Sequence, residues 1–124
     1  MSAALPSMWQ RSTQNDRILL TYHGDTGTSS VIEKAFEELH EILTEAANLC
    51  YLIDIRNIDR ISSQAIARLI STVRVIDMAG GRMAMVHVHP FIANILRTMR
   101  IVKVLPLFGS MSEALLYLEK NESD

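Results

Sequence analysis

The chain reads as an α/β domain built on a mixed, centrally parallel sheet, and three features of its 124 residues predict this. Short apolar runs alternate with segments whose apolar residues recur every three or four positions, the pattern of strands joined by helices. The central run, Tyr51-Leu52-Ile53-Asp54-Ile55, is nearly continuous rather than alternating, as a strand buried on both faces requires. Serines and glycines stand where the periodicity changes. Four or five strands and about four helices with right-handed crossovers are expected.

Residues 1–14 read as a polar N-terminal tail, with Met8 and Trp9 as the candidate for a short edge strand. The domain proper is expected over 15–119, followed by a polar tail over 120–124. Arg17 to His23 has a β-rich core and runs into the turn-forming cluster Gly24-Asp25-Thr26-Gly27. Ser30 and Glu33 fit a capping box, and Val31, Ile32, Ala35, Phe36, Leu39, Ile42, Leu43 and Ala46 form one apolar stripe behind it. The opposite face, with Glu37, Glu38, Glu41 and Glu45, is an acidic solvent face. After the central strand, Ser62 and Ser63 open a second helix carrying Ile66, Leu69, Ile70 and Val73 inward, and one of the two is its N-cap. Ala79 to Gly81 ends that helix, and Arg82 to Val88 is a third buried strand. Pro90 starts a further helix. Val102 to Phe108 reads as a last strand that Pro106 confines to an edge. Ser110 and Glu113 form a second capping box before the C-terminal helix.

Composition narrows the function classes. A chain of this length with 48% hydrophobic residues fills one core and is too short for two ordinary domains. No run reaches the roughly 20 consecutive apolar residues of a membrane helix, and the first residues lack the basic and apolar regions of a signal peptide. A cytoplasmic protein without membrane contact is expected. The single cysteine, Cys50, agrees with a reducing compartment and reads as a packed thiol. The net charge of −2 gives no global attraction to nucleic acid, and no basic run is interleaved with aromatics. The charge is unevenly spread, however: Arg60 to Lys103 holds seven basic residues against one acid, Asp77, while the rest holds five against thirteen. Such asymmetry suits oriented docking to a charged protein partner.

The stretch Leu52-Ile53-Asp54-Ile55, followed by Ile61-Ser62-Ser63-Gln64-Ala65, resembles the signature of STAS domains, the module shared by anti-sigma factor antagonists and sulfate transporters. In that family an apolar strand ends in Asp, and a short loop leads to an apolar residue, Asp or Ser, then Ser or Thr, a spacer, Gly and Leu. Ile61 takes the apolar position, Ser62 the Asp-or-Ser position, and Ser63 that of the serine a partner kinase phosphorylates. Ala65 stands where Gly is usual, and Ile66 where Leu is usual. The resemblance extends in order of elements from Arg17 to Leu118. It implies a STAS-like fold and a partner-switching role. The unmodified domain binds an anti-sigma factor that is also a serine protein kinase, phosphorylation at Ser63 (Ser62 as second choice) ends binding, and a PP2C-type phosphatase restores it. No cofactor is implied, and the protein itself is not an enzyme but a monomer or weak homodimer. Asn57, Asp59, Arg60, Ser62, Ser63, Gln64 and Arg68 are the expected partner-contact residues. The alternative is a STAS scaffold, or ligand-binding regulator, of a non-sigma signalling target without a phosphoswitch.

A phosphate at Ser63 would add about −1.5 to −2 charge at a helix start, which the helix N-terminus tolerates and a bound partner does not. The plainer reading is an N-cap pair. Asp54, inside a buried strand, must be satisfied, and backbone N–H groups of the following loop are the expected donors. It supports the loop rather than acting as a base, because no histidine or second carboxylate lies at an obvious spacing from it. His87 and His89 would share one face of a strand end, but two imidazoles are too few for a structural metal site and read as solvent-facing. Neither a dinucleotide fingerprint nor a P-loop occurs.

Overall fold

In the computed structural model, which describes residues 7–14, 17–24 and 28–122, five strands form one sheet in sequence order. The strands are β1 Trp9–Gln14, β2 Arg17–Tyr22, β3 Cys50–Asp54, β4 Arg82–Val86 and β5 Leu107–Phe108. The first pair is antiparallel, with Trp9 opposite Tyr22. The remaining three pairings are parallel, with Ile18 opposite Tyr51, Tyr51 opposite Met83, and Met85 opposite Leu107. Parallel neighbours need crossovers. These are supplied by α1 Ser29–Thr44, α2 Ser63–Met78, and α3 Pro90–Thr98 with a single 3-10 turn, Ile101–Lys103; α4 Met111–Glu122 ends the chain's described part.

Successive side chains of a strand point to opposite faces, and this divides the core in two. Leu20 and Tyr22 of β2, Tyr51 and Ile53 of β3, and Met83 and Met85 of β4 face the larger cluster, where Phe36 and Leu39 of α1, Leu69 and Val73 of α2, and Ile92 and Leu96 of α3 meet them. Leu52, Ala84 and Val86 face the other way and pack on Ala114 and Leu118 of α4. Covering both faces is what makes β3 read as a continuous apolar run.

The edge strand exists and is longer than Met8 and Trp9 alone, running to Gln14 in the stretch expected as tail. Helix α1 starts earlier than expected: Thr28, in extended conformation, is the N-cap and its hydroxyl accepts from Val31 N at 3.4 Å, which puts Ser30 inside the first turn. The predicted strand Val102–Phe108 is corrected to the 3-10 turn and the two residues of β5. Arg100 sits in the left-handed region at φ 58°, which turns the chain, and Pro106 has no N–H to give the sheet. Its carbonyl still accepts from Met85 N at 3.0 Å. The box at Ser110 forms, with Glu113 N donating to the Ser110 hydroxyl at 3.3 Å and that hydroxyl donating to Glu113 Oε1 at 3.1 Å. Helix α4 continues to Glu122, past the start of the expected tail. Most of the turn at Gly24 to Gly27, together with residues 1–6, 15–16 and 123–124, lies outside the described residues.

Helix α2 is stopped by Gly80 at φ 84°, with Gly80 N donating to Asp77 O at 3.1 Å and Gly81 N to Ile76 O at 2.9 Å, a Schellman closure. Gly81 is required for a second reason. A Cβ there would meet the Ala47 carbonyl oxygen and come within 2.6 Å of that of Leu49, so only glycine lets β4 start beside the α1–β3 connection.

Candidate functional site

The site assembles where β3 leaves the sheet. Ile55 stays buried and its N–H donates to Val86 O at 3.4 Å, extending the parallel ladder by one step. The loop that follows is anchored at three points. Ile58 is buried and its N–H donates to Ile55 O at 3.0 Å. Asn57 Nδ2 donates to Tyr22 O at 3.4 Å, tying the loop to the end of β2. Ile61, half-buried, packs against the larger core and delivers the chain to α2.

Of the serine pair, Ser62 is the N-cap: its backbone is extended and its hydroxyl accepts from Ala65 N at 3.2 Å. Ser63 is the first helical residue and is exposed, as is Gln64. One turn on, Arg68 is also exposed and shares with Gln64 a groove of about 530 Å³ whose other wall carries Glu33 and Glu37 of α1. Asp59 and Arg60 are exposed in the loop and pair with each other, Oδ1 to Nε at 3.5 Å. Thus Ser63, Gln64 and Arg68 share one accessible helix start, while Asn57 and Ser62 hold its approach in shape.

Asp54 is 2% exposed. One loop N–H does satisfy it, Arg56 N to Oδ1 at 3.0 Å. The larger share comes from side chains that sequence reasoning did not bring to it. The Arg56 guanidinium contacts Oδ2 through Nη2 at 2.9 Å and Nε at 3.2 Å, and His87 Nδ1 lies 3.2 Å from the same oxygen. His87 Nδ1 is also 3.1 Å from Arg56 Nη2. Burial pushes the Asp54 carboxyl up, but the hydrogen bonds from Arg56 and His87 and the guanidinium charge outweigh it and hold the group below its ordinary value.

The expectation that no histidine pairs with Asp54 is therefore corrected. The two residues are far apart in sequence, and only the pairing of Asp54 with Val86 across β3 and β4 brings them together. The usable signal was that His87 immediately follows a strand parallel to the one Asp54 ends. The shared strand face for His87 and His89 is corrected too. Strand β4 stops at Val86, His87 takes a left-handed φ of 57°, and His89 caps α3, its Nδ1 accepting from Phe91 N at 3.1 Å.

Among the described residues no three His, Cys, Asp or Glu side chains gather to hold a metal ion, and no helix is long and apolar enough to cross a membrane.

No protein-family model matches the sequence, and no curated protein does. The fold, by contrast, is shared with solved structures. A serine-to-glutamate variant of Moorella thermoacetica RsbS is 17% identical, with a TM-score of 0.72 over 95% of this chain and 100% of that one. An anti-sigma-factor antagonist (STAS) domain protein from Planctomyces limnophilus is 18% identical, with a TM-score of 0.69 over 90% of this chain and 97% of that one. The anti-sigma factor antagonist SpoIIAA in its unphosphorylated form is 10% identical, with a TM-score of 0.65 over 90% and 96%. The chain has the STAS fold of the anti-sigma factor antagonists.

Proposed function

We propose that this protein is a phosphorylation-switched antagonist of an anti-sigma factor, working in a bacterial cytoplasm. In the unmodified form the surface running from Asn57, Asp59 and Arg60 through Ser62, Ser63, Gln64 and Arg68 docks an anti-sigma factor that is also an ATP-dependent serine kinase. Docking releases the sigma factor or another client. Transfer of the ATP γ-phosphoryl group to Ser63 Oγ, with loss of the hydroxyl proton and release of ADP, ends the interaction. A PP2C-type phosphatase hydrolyses the ester and restores the binding form. The protein is substrate and binding partner in this cycle, not catalyst.

The observation that carries the choice of Ser63 is the difference between the two serines: the Ser62 hydroxyl is engaged by Ala65 N, whereas Ser63 is exposed at the first position of α2. A phosphate on Ser63 gains from the free N–H groups of that helix end. The cost falls on the docked partner, whose complementary surface meets a dianion. Losing about 2–4 kcal/mol there weakens binding roughly thirty- to seven-hundred-fold. Incubation with the cognate kinase and ATP, followed by phosphopeptide mapping, tests the assignment. Modification at Ser63 is expected, and a phosphate found only elsewhere sinks it.

The Asp54, Arg56 and His87 cluster favours a second reading, a STAS scaffold or ligand-binding regulator of a non-sigma signalling target that dispenses with the phosphate. In that case Ser63→Ala and Ser63→Asp bind the target alike. The phosphoswitch requires the second to fail.

A further inference from the structure

Beyond Asp54, at the carboxyl ends of β4 and β5, lies a separate concavity of about 250 Å³, room for roughly eight waters at ~30 Å³ each. Its walls are Val88, Ala93, Phe108 and Gly109, and the charged or titratable side chains on its lining are His87 and Arg97. A site at strand ends in an open α/β sheet is where such folds gather ligands.

The imidazole is held from one side. Its Nδ1 is 3.1 Å from Arg56 Nη2 and 3.2 Å from Asp54 Oδ2, and Asp54 is itself clasped by Arg56. That leaves Nε2 as the ring nitrogen available to a ligand. When Nδ1 accepts from Arg56, the neutral ring carries its proton on Nε2 and can donate it; in the other neutral tautomer Nδ1–H goes to Asp54 and Nε2 is an acceptor. The first tautomer puts a donor on the same cavity lining as Arg97. The backbone adds a further mark. His87 is one of two non-glycine residues at positive φ among those described, and its N–H is tied to Phe108 O at 3.3 Å. Such outliers persist where surrounding contacts over-determine them, and they collect at ligand sites. A Cβ at Gly109, also on the lining, would meet nothing within 4 Å, so no neighbouring group closes over that position.

We infer that this cavity binds a small oxyanion, a carboxylate or phosphoryl group on a short apolar body, the charge held by His87 Nε2 and Arg97 and the body lying against Val88, Ala93 and Phe108. Occupancy is transmitted to the loop before α2. An anion selects the tautomer with its proton on Nε2, so Nδ1 stops donating to Asp54 and accepts from Arg56 Nη2, and Arg56 is the first residue of that loop after Ile55. The relay's relevance to partner switching rests on the reading given under Proposed function; the binding site does not.

The test is an NMR titration of the ¹⁵N-labelled full chain with inorganic phosphate and, separately, butyrate, at constant ionic strength. Saturable shifts of the Val88 and Gly109 amides and of the His87 ring nitrogens are expected, with a dissociation constant of about a millimolar. Binding should weaken at least about tenfold in Arg97→Gln, an exposed position whose change spares the core, and in His87→Asn, since asparagine tolerates left-handed backbone. Preference for phosphate assigns a phosphoryl ligand, and preference for butyrate assigns a carboxylate. The Arg56 Nε–H signal should move on saturation in the wild type and stay still in His87→Asn. Shifts that rise linearly with either anion, or that survive both substitutions, overturn the site; saturation without movement of Arg56 overturns the relay. No kinase or partner enters the experiment, so its failure is separable from failure of the phosphoswitch.

Discussion

Ser62 and Ser63 are adjacent and chemically identical, and their surroundings give them different work. Removing the Ser62 hydroxyl leaves Ala65 N without its acceptor, so Ser62→Ala is expected to lose about 1 kcal/mol in urea unfolding. Ser63→Ala should stay within about 0.5 kcal/mol of wild type, as exposed substitutions do, while removing the hydroxyl proposed as phosphoacceptor. A large loss at Ser63 instead would mark its hydroxyl as structural. Asp54 makes the second residue-level prediction. Its carboxyl is held below the ordinary value, so its contribution to stability is complete above the unfolded value of about 3.9 and disappears as pH falls through the lower folded one. Asp54→Asn should therefore lose about 1–3 kcal/mol at neutral pH and flatten the acid limb of the stability curve below about pH 4. Urea midpoints measured from pH 2.5 to 7 check both. That Asp54 needed partners was legible from its place inside an apolar run. Which partners it has was not, because Arg56 could have turned to solvent and His87 arrives from another strand.

The packing of α1 on α2 gives the prediction at the scale of elements. Thr72, fully buried on α2, donates its hydroxyl proton to Arg68 O at 2.8 Å, so His40 Nδ1 on α1, 2.7 Å from the same oxygen, is the donor between the helices. Burial and the Arg68 charge lower the affinity of His40 for a second proton, with Glu41 partly opposing. The folded protein thus favours the neutral ring. Stability from this contact is complete above the unfolded value of about 6.5 and declines as pH falls below it toward the folded value. His40→Gln should flatten this part of the profile below about pH 6.5, read from urea midpoints. Element ends were legible where one residue sets them: Pro90 opens α3, Gly80 closes α2, and the Ser110 box opens α4. They were misplaced where equivalent signals competed. Thr28, Ser29 and Ser30 are all capable caps, and Thr28 wins because its backbone is extended there. At the last strand a β-rich composition promised seven residues, and Arg100 and Pro106 left two able to pair.

At the scale of the whole molecule, Trp9 shows that the N-terminal strand belongs to the fold. It is 3% exposed, donates Nε1–H to Ala35 O at 2.7 Å, and meets Tyr22 and Phe36 edge-on at centroid distances of 5.3 and 6.0 Å. Trp9→Ala should cost about 3–5 kcal/mol in urea unfolding followed by circular dichroism. A loss under about 1 kcal/mol would make β1 an appendage. The uneven charge acquires a geometry too. The acidic face of α1, with Glu33 and Glu37, and the basic stretch that begins at Arg60 meet in the groove shared with Arg68, next to Ser63.

The alternation of strands and helices, the two-sided burial of β3 and the serine pair at the start of α2 are legible in the residues alone, since each is a local pattern that period, caps and burial impose on neighbouring positions. That Ser62 caps while Ser63 is exposed, that β1 joins the sheet through Trp9, and that His87 stands against Asp54 are outcomes of the assembled fold. Those outcomes depend on which strands lie side by side and in what register, and register is fixed by the packing of the whole core rather than by any short stretch of it.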